Sequence, residues 1–143
     1  GLIGCGQRGR HDLKNCLKAN ENVEITAMGD LFKDRLDGSL RALTNNLGEK
    51  VKVTQDCCFV GWDAYKKAMD CLKPGDVAIF GTPPAFRWVH FAYAIEKGLN
   101  VFMEKPVAVD PAGVRAVLAA ASGMRMDLSS EGTPHTSAPR RPR

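Results

Sequence analysis

The sequence predicts an α/β fold in which a doubly wound parallel sheet carries helices on both faces. Segments typical of strands and of helices alternate about five times along the 143 residues. The strand-like segments are continuous apolar runs, which is the pattern of strands that are buried on both faces. An alternation of this kind requires crossover connections, and crossovers place successive strands parallel to one another.

The first half of the chain contributes three predicted strands and two predicted helices. Leu2-Ile3 is read as the end of a strand whose beginning is missing, and the β-branched run VEITAM as a second strand. Leucines recur at helical spacing in the second helix, and a glycine follows as a stop. The predicted elements are a strand ending at residue 3, a helix over 8–20, a strand over 23–28, a helix over 33–47 and a short strand over 51–53.

The second half repeats the alternation and ends in a helix with a clear start signal. Asp110 is a preferred N-cap residue, and Pro111 suits the first helical position. The predicted elements are a helix over 61–72, a strand within 76–84, a helix over 85–97, a strand over 99–106 and a helix from 111 to about 121. Residues 122–143 lack periodicity and are rich in Ser, Thr, Pro and Arg, which predicts a disordered or artefactual tail after a domain of residues 1–121.

The composition argues against two classes of partner. No apolar run approaches the roughly 20 residues that span a bilayer, so we expect no membrane partner. The net charge of +4 is not concentrated on the dense basic face that nucleic-acid binders carry, so we expect no nucleic-acid partner. A hydrophobic fraction of 44% and a charged fraction of 25% are ordinary for a globular domain.

The five cysteines do not form a metal-binding pattern. Their number is odd, no C-x-x-C occurs, and the short spacings that zinc sites use are absent, so we expect no metal. Cys57 and Cys58 are adjacent, and in a strand their side chains would point to opposite faces. The sequence therefore predicts free and mostly buried thiols.

The opening stretch GLIGCGQRGR contains glycines with the spacing G-x-G-x-x-G, between a strand and a helix. In that context the spacing is the fingerprint of a dinucleotide site. Gly4 allows the tight turn, Gly6 lets the backbone approach a pyrophosphate, and Gly9 lets the helix pack closely on the strand. Gln7 and Arg8 would offer amide groups to the phosphates at the helix N-terminus. The alternative is a glycine-rich turn that binds no ligand.

An acidic residue follows at the distance that the fingerprint requires. Asp30 lies 21 residues after Gly9 and ends the second predicted strand. A carboxylate there accepts hydrogen bonds from the adenosine ribose and repels a 2′-phosphate, which favours NAD over NADP. Lys33 and Arg35 follow closely and weaken that preference. The alternative for Asp30 is a helix cap or turn residue.

The stretch AIFGTPPAFRWVHFAYAIEKGLNVFMEKPVAVDPAGVRAVL resembles the Gfo/Idh/MocA family, which comprises glucose–fructose oxidoreductase, inositol dehydrogenase and their relatives. With the glycine loop and Asp30, the resemblance covers roughly residues 1–121. Glu-Lys-Pro at the end of the fifth strand is the most specific of its motifs, and the glycine loop alone is not specific. The matching residues are Thr82-Pro83 after the fourth strand, His90 in the next helix, Gly98, and Glu104-Lys105-Pro106.

The resemblance implies a role for each of these groups. Lys105 would be the catalytic residue that positions a substrate hydroxyl and assists proton transfer, and a lysine at the carboxyl end of a parallel strand faces the ligand crevice. Glu104 would anchor that corner of the cofactor site or the lysine. The alternative for Lys105 is an exposed surface lysine. Thr82, Pro83 and His90 would contact the cofactor, although His90 on a helix is equally expected as a packed, hydrogen-bonded histidine. Trp88, Phe86 and Phe91 are expected in the core or an interface.

The resemblance further implies an NAD(P)-dependent dehydrogenase that acts on a hydroxyl of a sugar or polyol. The family also has a second domain with a catalytic Asp-x-x-x-His pair, and nothing in these 143 residues matches it. The chain is therefore expected to be the cofactor domain of such an enzyme, or a fragment without activity of its own. Its oligomeric state is not predicted.

Two further alternatives follow from the same residues. A non-catalytic nucleotide-binding module or redox sensor would bind NADH without turnover. A methyltransferase that uses S-adenosylmethionine also has a glycine loop and an acid after its second strand, but the position of Gly9 and the Glu-Lys-Pro motif argue against it. Free cysteines and a nucleotide cofactor make the cytoplasm the expected compartment.

Overall fold

A five-stranded, wholly parallel sheet forms the centre of the computed structural model, which describes residues 1–123. The strand order is β3-β2-β1-β4-β5, so the order reverses between β1 and β4. The strands are β1 Leu2–Ile3, β2 Met28–Asp30, β3 Cys58–Val60, β4 Val77–Phe80 and β5 Asn100–Met103. The predicted α/β sheet with parallel strands is confirmed.

Five α-helices alternate with these strands and cover both faces of the sheet. The helices are α1 Gln7–Ala19, α2 Lys33–Leu47, α3 Ala64–Asp70, α4 Pro84–Glu96 and α5 Pro111–Ala121. Leucines of α1 and α2 pack on one face against Leu2, Met28 and Ile79. Residues of α3 and α4 pack on the other face against Ile3 and Phe80. Helices on both faces of a parallel sheet are the arrangement that the continuous apolar strands predicted.

The predicted elements agree with the structure except at two strands. Helix α2 has the predicted bounds, and Asp110 caps α5 by accepting a hydrogen bond from the Gly113 N–H at 2.6 Å. The predicted strand 23–28 is wrong because the pairing with β1 begins only at Met28. The predicted strand 51–53 is also wrong, since this segment contributes one isolated bridge, between Ile25 and Val51.

The environment of Gly29 explains why β2 lies later than its composition suggests. A Cβ on Gly29 would lie 2.7 Å from the carbonyl oxygen of Ala64, so only glycine permits α3 to approach β2 this closely. Gly29 and Asp30 have low strand propensity, but tertiary packing overrides propensity in a sheet buried on both faces.

The predictions for the tail and for the cysteines have different outcomes. Residues 124–143 lie outside the described residues, so the predicted tail stays a prediction. All five cysteines are free, but Cys5 alone among them is buried and the other four are half-buried, so the prediction of mostly buried thiols was wrong. Cys57 and Cys58 do face opposite sides of the sheet, since they pack against different core clusters.

Two features are absent from residues 1–123: a helix that could cross a membrane and a cluster of metal-binding side chains. None of the helices in this part of the chain combines the length and the apolar character that crossing a membrane requires. The same residues contain no group of three or more His, Cys, Asp or Glu side chains with the geometry to hold a metal ion.

Candidate functional site

Three glycines in mutual contact fix the loop between β1 and α1. Gly4 adopts a left-handed backbone conformation (φ +88°), and a Cβ on it would lie 2.6 Å from the Thr82 amide nitrogen. A Cβ on Gly9 would lie 2.2 Å from the Gly4 carbonyl oxygen, and one on Gly81 would lie 2.5 Å from the Gly9 Cα. Side chains are therefore excluded at all three positions by backbone atoms. We call Gly4, Gly9 and Gly81 the glycine cluster.

Gly6 differs from the glycine cluster because the fold itself does not require a glycine there. Its backbone is extended (φ −67°, ψ −179°), and no heavy atom lies within 4 Å of the position of a Cβ. Gly6 is the N-cap residue of α1, without a side-chain cap, and no acidic residue occurs in the first turn of that helix. The free space and the first amide N–H groups of α1 together suit an anionic ligand.

Asp30 holds the neighbouring loops and faces the same space. Its side chain accepts hydrogen bonds from the Cys5 N–H at 2.5 Å and from the Phe32 N–H at 2.8 Å. The residue is only 8% exposed, yet it lines the cavity beside the glycine loop. Each carboxylate oxygen has a further lone pair, so Asp30 can accept additional hydrogen bonds from a ligand.

A cavity of about 270 Å³ lies above the carboxyl ends of β1, β2, β3 and β4. It is at the point where the strand order reverses, which is where ligands bind in open α/β sheets. Ligand pockets commonly reach roughly 300–1,000 Å³, so this cavity suits part of a dinucleotide. Six of the predicted site residues line it: Gly4, Gly6, Asp30, Thr82, Pro83 and His90.

His90 is a buried and neutral member of this cavity. Its Nδ1 lies 3.2 Å from the Thr82 hydroxyl, and its ring centroid lies 4.3 Å from that of Tyr65. Burial lowers the pKa of His90 to about 4. The imidazole therefore carries no charge near neutral pH. His90 is therefore packed and hydrogen-bonded, as one of the two alternatives from the sequence predicted, and it also lines the cavity; its contact with a cofactor stays a prediction.

Glu104, Lys105 and Pro106 form a loop after β5, which we call the lysine loop. Arg87 of α4 is only 5% exposed and holds this loop from below. Its guanidinium donates to the carbonyl oxygens of Glu104 and Pro106, the latter at 2.7 Å, and to the Thr82 carbonyl at 2.8 Å. Desolvation lowers the pKa of Arg87. A guanidinium nevertheless stays protonated in proteins, so the carbonyl groups of this loop are bound by a buried cation.

A surface ion pair joins the lysine loop to the glycine loop. The Arg8 guanidinium contacts the Glu104 carboxylate and lies 3.2 Å from Asp12. The Glu104 hydrogen bond is the main cause that raises the pKa of Arg8. The Arg8 charge is thus already paired with carboxylates. Lys105 is exposed at the carboxyl end of β5 and, like Gln7, Arg8, Gly9 and Glu104, does not line the cavity.

Several residues that line the cavity were not identified as such from the sequence alone. Trp62 is 72% exposed at the cavity rim and lies 6.1 Å from Phe86 between ring centroids. Phe86 is 42% exposed and lines the cavity, so it does not lie in the core, and its other expected place, an interface, stays a prediction. Phe32 also lines the cavity, and the Arg35 guanidinium lies 5.1 Å from its ring centroid. A correct placement of β3 would have put Trp62 at the ligand edge of the sheet.

Three solved structures show which proteins this chain is similar to. Myo-inositol 2-dehydrogenase from Lactobacillus plantarum is 25% identical with a TM-score of 0.64, over 85% of this chain and 32% of that one. KijD10, a 3-ketoreductase from Actinomadura kijaniata in complex with NADP and TDP-benzene, is 21% identical with a TM-score of 0.60, over 86% and 33%. Scyllo-inositol dehydrogenase from Lactobacillus casei with bound NAD(H) and scyllo-inositol is 20% identical with a TM-score of 0.63, over 86% and 32%.

The solved structures are much longer than this chain, and a family model matches most of it. The chain spans about a third of the length of the three solved structures. No curated protein shows significant similarity to it. Residues 1–129 match the family model described as oxidoreductase family, NAD-binding Rossmann fold (GFO_IDH_MocA), so the chain belongs to that family.

Proposed function

We propose that this chain binds NAD(H) across the glycine loop and forms the cofactor domain of a dehydrogenase that acts on a hydroxyl of a sugar or polyol. The observation that carries the proposal is the free space at Gly6. This glycine is not required by its backbone conformation or by any neighbouring atom, and it faces a cavity that Asp30 also lines. Gly38 in α2 also meets no neighbouring atom, but it does not line the cavity. At Gly6 the free space lies beside the first amide groups of α1, where a ligand would approach the backbone.

The residues that line the cavity and those next to it would divide the contacts with the cofactor. The amide N–H groups of Gln7, Arg8 and Gly9, at the start of α1 beside the cavity lining, would hold the pyrophosphate, and Asp30 would accept hydrogen bonds from the adenosine ribose. Thr82, Pro83 and His90 would contact the other half of the dinucleotide, where β4 ends. The exposed rings of Trp62 and Phe86 supply an apolar rim that would exclude water from the bound cofactor.

The preference for NAD over NADP rests on the charges that face the ribose position. Asp30 is a carboxylate there, and a 2′-phosphate would meet like charge. Of the two nearby cations, Lys33 is paired with Asp37, whose carboxylate lies 2.7 Å away. Arg35 stacks on Phe32 and lines the cavity, so it is the one group that would favour a 2′-phosphate. We propose that the buried carboxylate outweighs this exposed guanidinium.

The reactive chemistry belongs to the nicotinamide ring, which supplies the hydride acceptor when the cofactor is bound. We propose that the Lys105 ammonium hydrogen-bonds the substrate hydroxyl and stabilises negative charge on its oxygen as the proton leaves. Support comes from its exposed position on the lysine loop, whose backbone the buried Arg87 fixes. A sugar or polyol substrate is supported by the inositol bound to the scyllo-inositol dehydrogenase structure.

The first test is a fluorescence titration of the chain with NADH and, in parallel, with NADPH. The informative variant is Gly6→Val, because Gly6 lines the cavity and a Cβ there would meet no heavy atom within 4 Å. The matched control is Gly38→Val in α2, where a Cβ also meets no atom within 4 Å but which does not line the cavity. Both variants should show the circular dichroism of the wild type.

We expect saturable NADH binding to the wild type and to Gly38→Val, and binding weakened at least about tenfold in Gly6→Val, a loss of about 1.4 kcal/mol. NADPH should bind more weakly than NADH to the wild type. Equal NADH affinity of Gly6→Val and the wild type would overturn the proposed site. Tighter binding of NADPH would overturn only the cofactor preference.

A further inference from the structure

Two half-buried thiols lie in contact on the side of the sheet that α3 covers. Cys57 ends a single 3-10 turn, Gln55–Cys57, directly before β3, and Cys71 follows the last residue of α3. The Cys57 thiol donates a hydrogen bond to the Cys71 sulfur at 2.6 Å. The two residues are 14 positions apart, so the fold and not the local sequence brings the sulfurs together.

We propose that Cys57 and Cys71 are a site of reversible oxidative modification, at which a low-molecular-weight disulfide such as oxidised glutathione converts the two thiols into an intramolecular disulfide. Thiol–disulfide exchange needs an accessible thiol and a second thiol within reach, and this pair meets both conditions. Cys5, by contrast, is only 1% exposed, so oxidised glutathione does not reach its thiol.

The reaction balances in two exchange steps. The thiolate of one cysteine attacks oxidised glutathione, forms a mixed disulfide and releases one glutathione thiolate. The thiolate of the other cysteine then attacks the protein sulfur of that mixed disulfide, forms the Cys57–Cys71 bond and releases the second glutathione thiolate. The two protons lost by the protein end on the two glutathione thiolates, so glutathione is reduced as the cysteines are oxidised.

The bond would close a loop that carries part of the cavity wall. Residues 57–71 include Gly61, Trp62 and Tyr65, all of which line the cavity. A covalent link at the two ends of this segment restricts the unfolded chain more than the folded one, so it should stabilise the oxidised protein. The site and its reaction do not depend on nucleotide binding, and the failure of one proposal would not affect the other.

The test counts thiols in the purified chain before and after treatment with oxidised glutathione. The protein is then unfolded, its free thiols are alkylated, and it is digested with trypsin for mass spectrometry. After oxidation, three of the five cysteines should still be free and become alkylated. Before alkylation, the intact mass of the oxidised protein should be lower by two hydrogens. The expected cross-linked product joins peptide 53–66 to peptide 68–87, and dithiothreitol should separate the two.

Cys58 provides the matched control because it is adjacent in sequence and faces the other side of the sheet. The cross-link should persist in Cys58→Ser and be absent from Cys57→Ser and Cys71→Ser. We also expect the oxidised wild type to melt about 5 °C or more above the reduced protein. Five alkylated cysteines, a cross-link that persists in Cys57→Ser, a stable glutathione adduct or a disulfide-linked dimer would each overturn the proposal.

Discussion

The two ends of the candidate site are built by opposite means. Around β1 and α1, the glycine cluster leaves no room for side chains, and backbone atoms contact one another directly. At the ends of β4 and β5, large polar side chains hold the loops, since Arg87 bonds three carbonyl oxygens and His90 contacts Thr82. At the first end, close backbone contacts exclude side chains, whereas at the second end buried hydrogen bonds hold the loops in place.

This difference suggests how each end responds to change. A steric contact between backbone atoms cannot relax without moving a strand, so a methyl group at the first end should affect the whole domain. Hydrogen bonds to loop carbonyls can be exchanged with water once the loop opens, so losses at the second end should be smaller and more local.

The largest effect is expected from Gly9→Ala, which tests the first end. The new methyl group would lie 2.2 Å from the Gly4 carbonyl oxygen, so we expect a loss of about 3 kcal/mol or more in the free energy of unfolding. Urea unfolding followed by circular dichroism measures it. Gly38→Ala in α2 is the control and should stabilise the protein by about 0.5–1 kcal/mol. If the Gly9→Ala protein were as stable as the wild type, the backbone contacts at the first end could relax, and the contrast between the two ends would be wrong.

The next effect concerns the charge state of His90 at the second end. The unfolded chain protonates this histidine below its ordinary pKa of 6.5, whereas the folded protein does so only near pH 4. The free energy of unfolding should therefore fall as the pH drops from 6.5 to 4, by at most about 3 kcal/mol. His90→Gln should show a shallower pH dependence than the wild type. Identical slopes for the two proteins would mean that His90 is not buried as described.

Arg87→Met should cost about 2 kcal/mol in the free energy of unfolding, because it leaves three carbonyl oxygens without their donor. Amide hydrogen exchange should accelerate in and after the lysine loop while the strands keep their protection. Arg115→Met on the exposed face of α5 serves as the control and should change neither quantity. Uniform acceleration across the sheet would show that Arg87 supports the whole domain and not one loop.

The smallest effect is expected from the ion pair between Arg8 and Glu104, which joins the two ends. Arg8 has a side chain that is 57% exposed, and exposed pairs contribute little and are screened by salt. A double-mutant cycle with Arg8→Gln and Glu104→Gln should give a coupling smaller than the loss in Arg87→Met, and smaller again at high salt. A large, salt-independent coupling would mean that the two ends are held together and do not respond separately.

The sequence predicted the first end better than the second, for a physical reason. The turn at Gly4 and the close packing at Gly9 depend on one strand, one turn and one helix that are consecutive in the chain, so local spacing carries the information. Helix α2 was likewise predicted from the regular recurrence of leucine.

The second end depends on contacts between segments far apart, which no local pattern records. Arg87 reaches carbonyl groups 17 and 19 residues away, and nothing in the helix FRWVHF distinguishes it from a surface arginine. Trp62 was missed because β3 was predicted at 51–53, where a short β-branched run is found. Strand positions follow from pairing across the sheet, which residue composition alone does not determine.

The hydrogen bonds of Asp30 restrict how the cofactor preference of this chain could be redesigned. Its carboxylate accepts from two backbone N–H groups, so removing it would unpair both and loosen the loops on either side. An asparagine has a single acceptor oxygen and would point an amide donor at one of those N–H groups. Acceptance of a 2′-phosphate should therefore be engineered around Arg35 and Phe32, with the acid left in place. In this domain the carboxylate that faces the cavity also supports the backbone, and a search for altered specificity at position 30 would mainly recover unstable proteins.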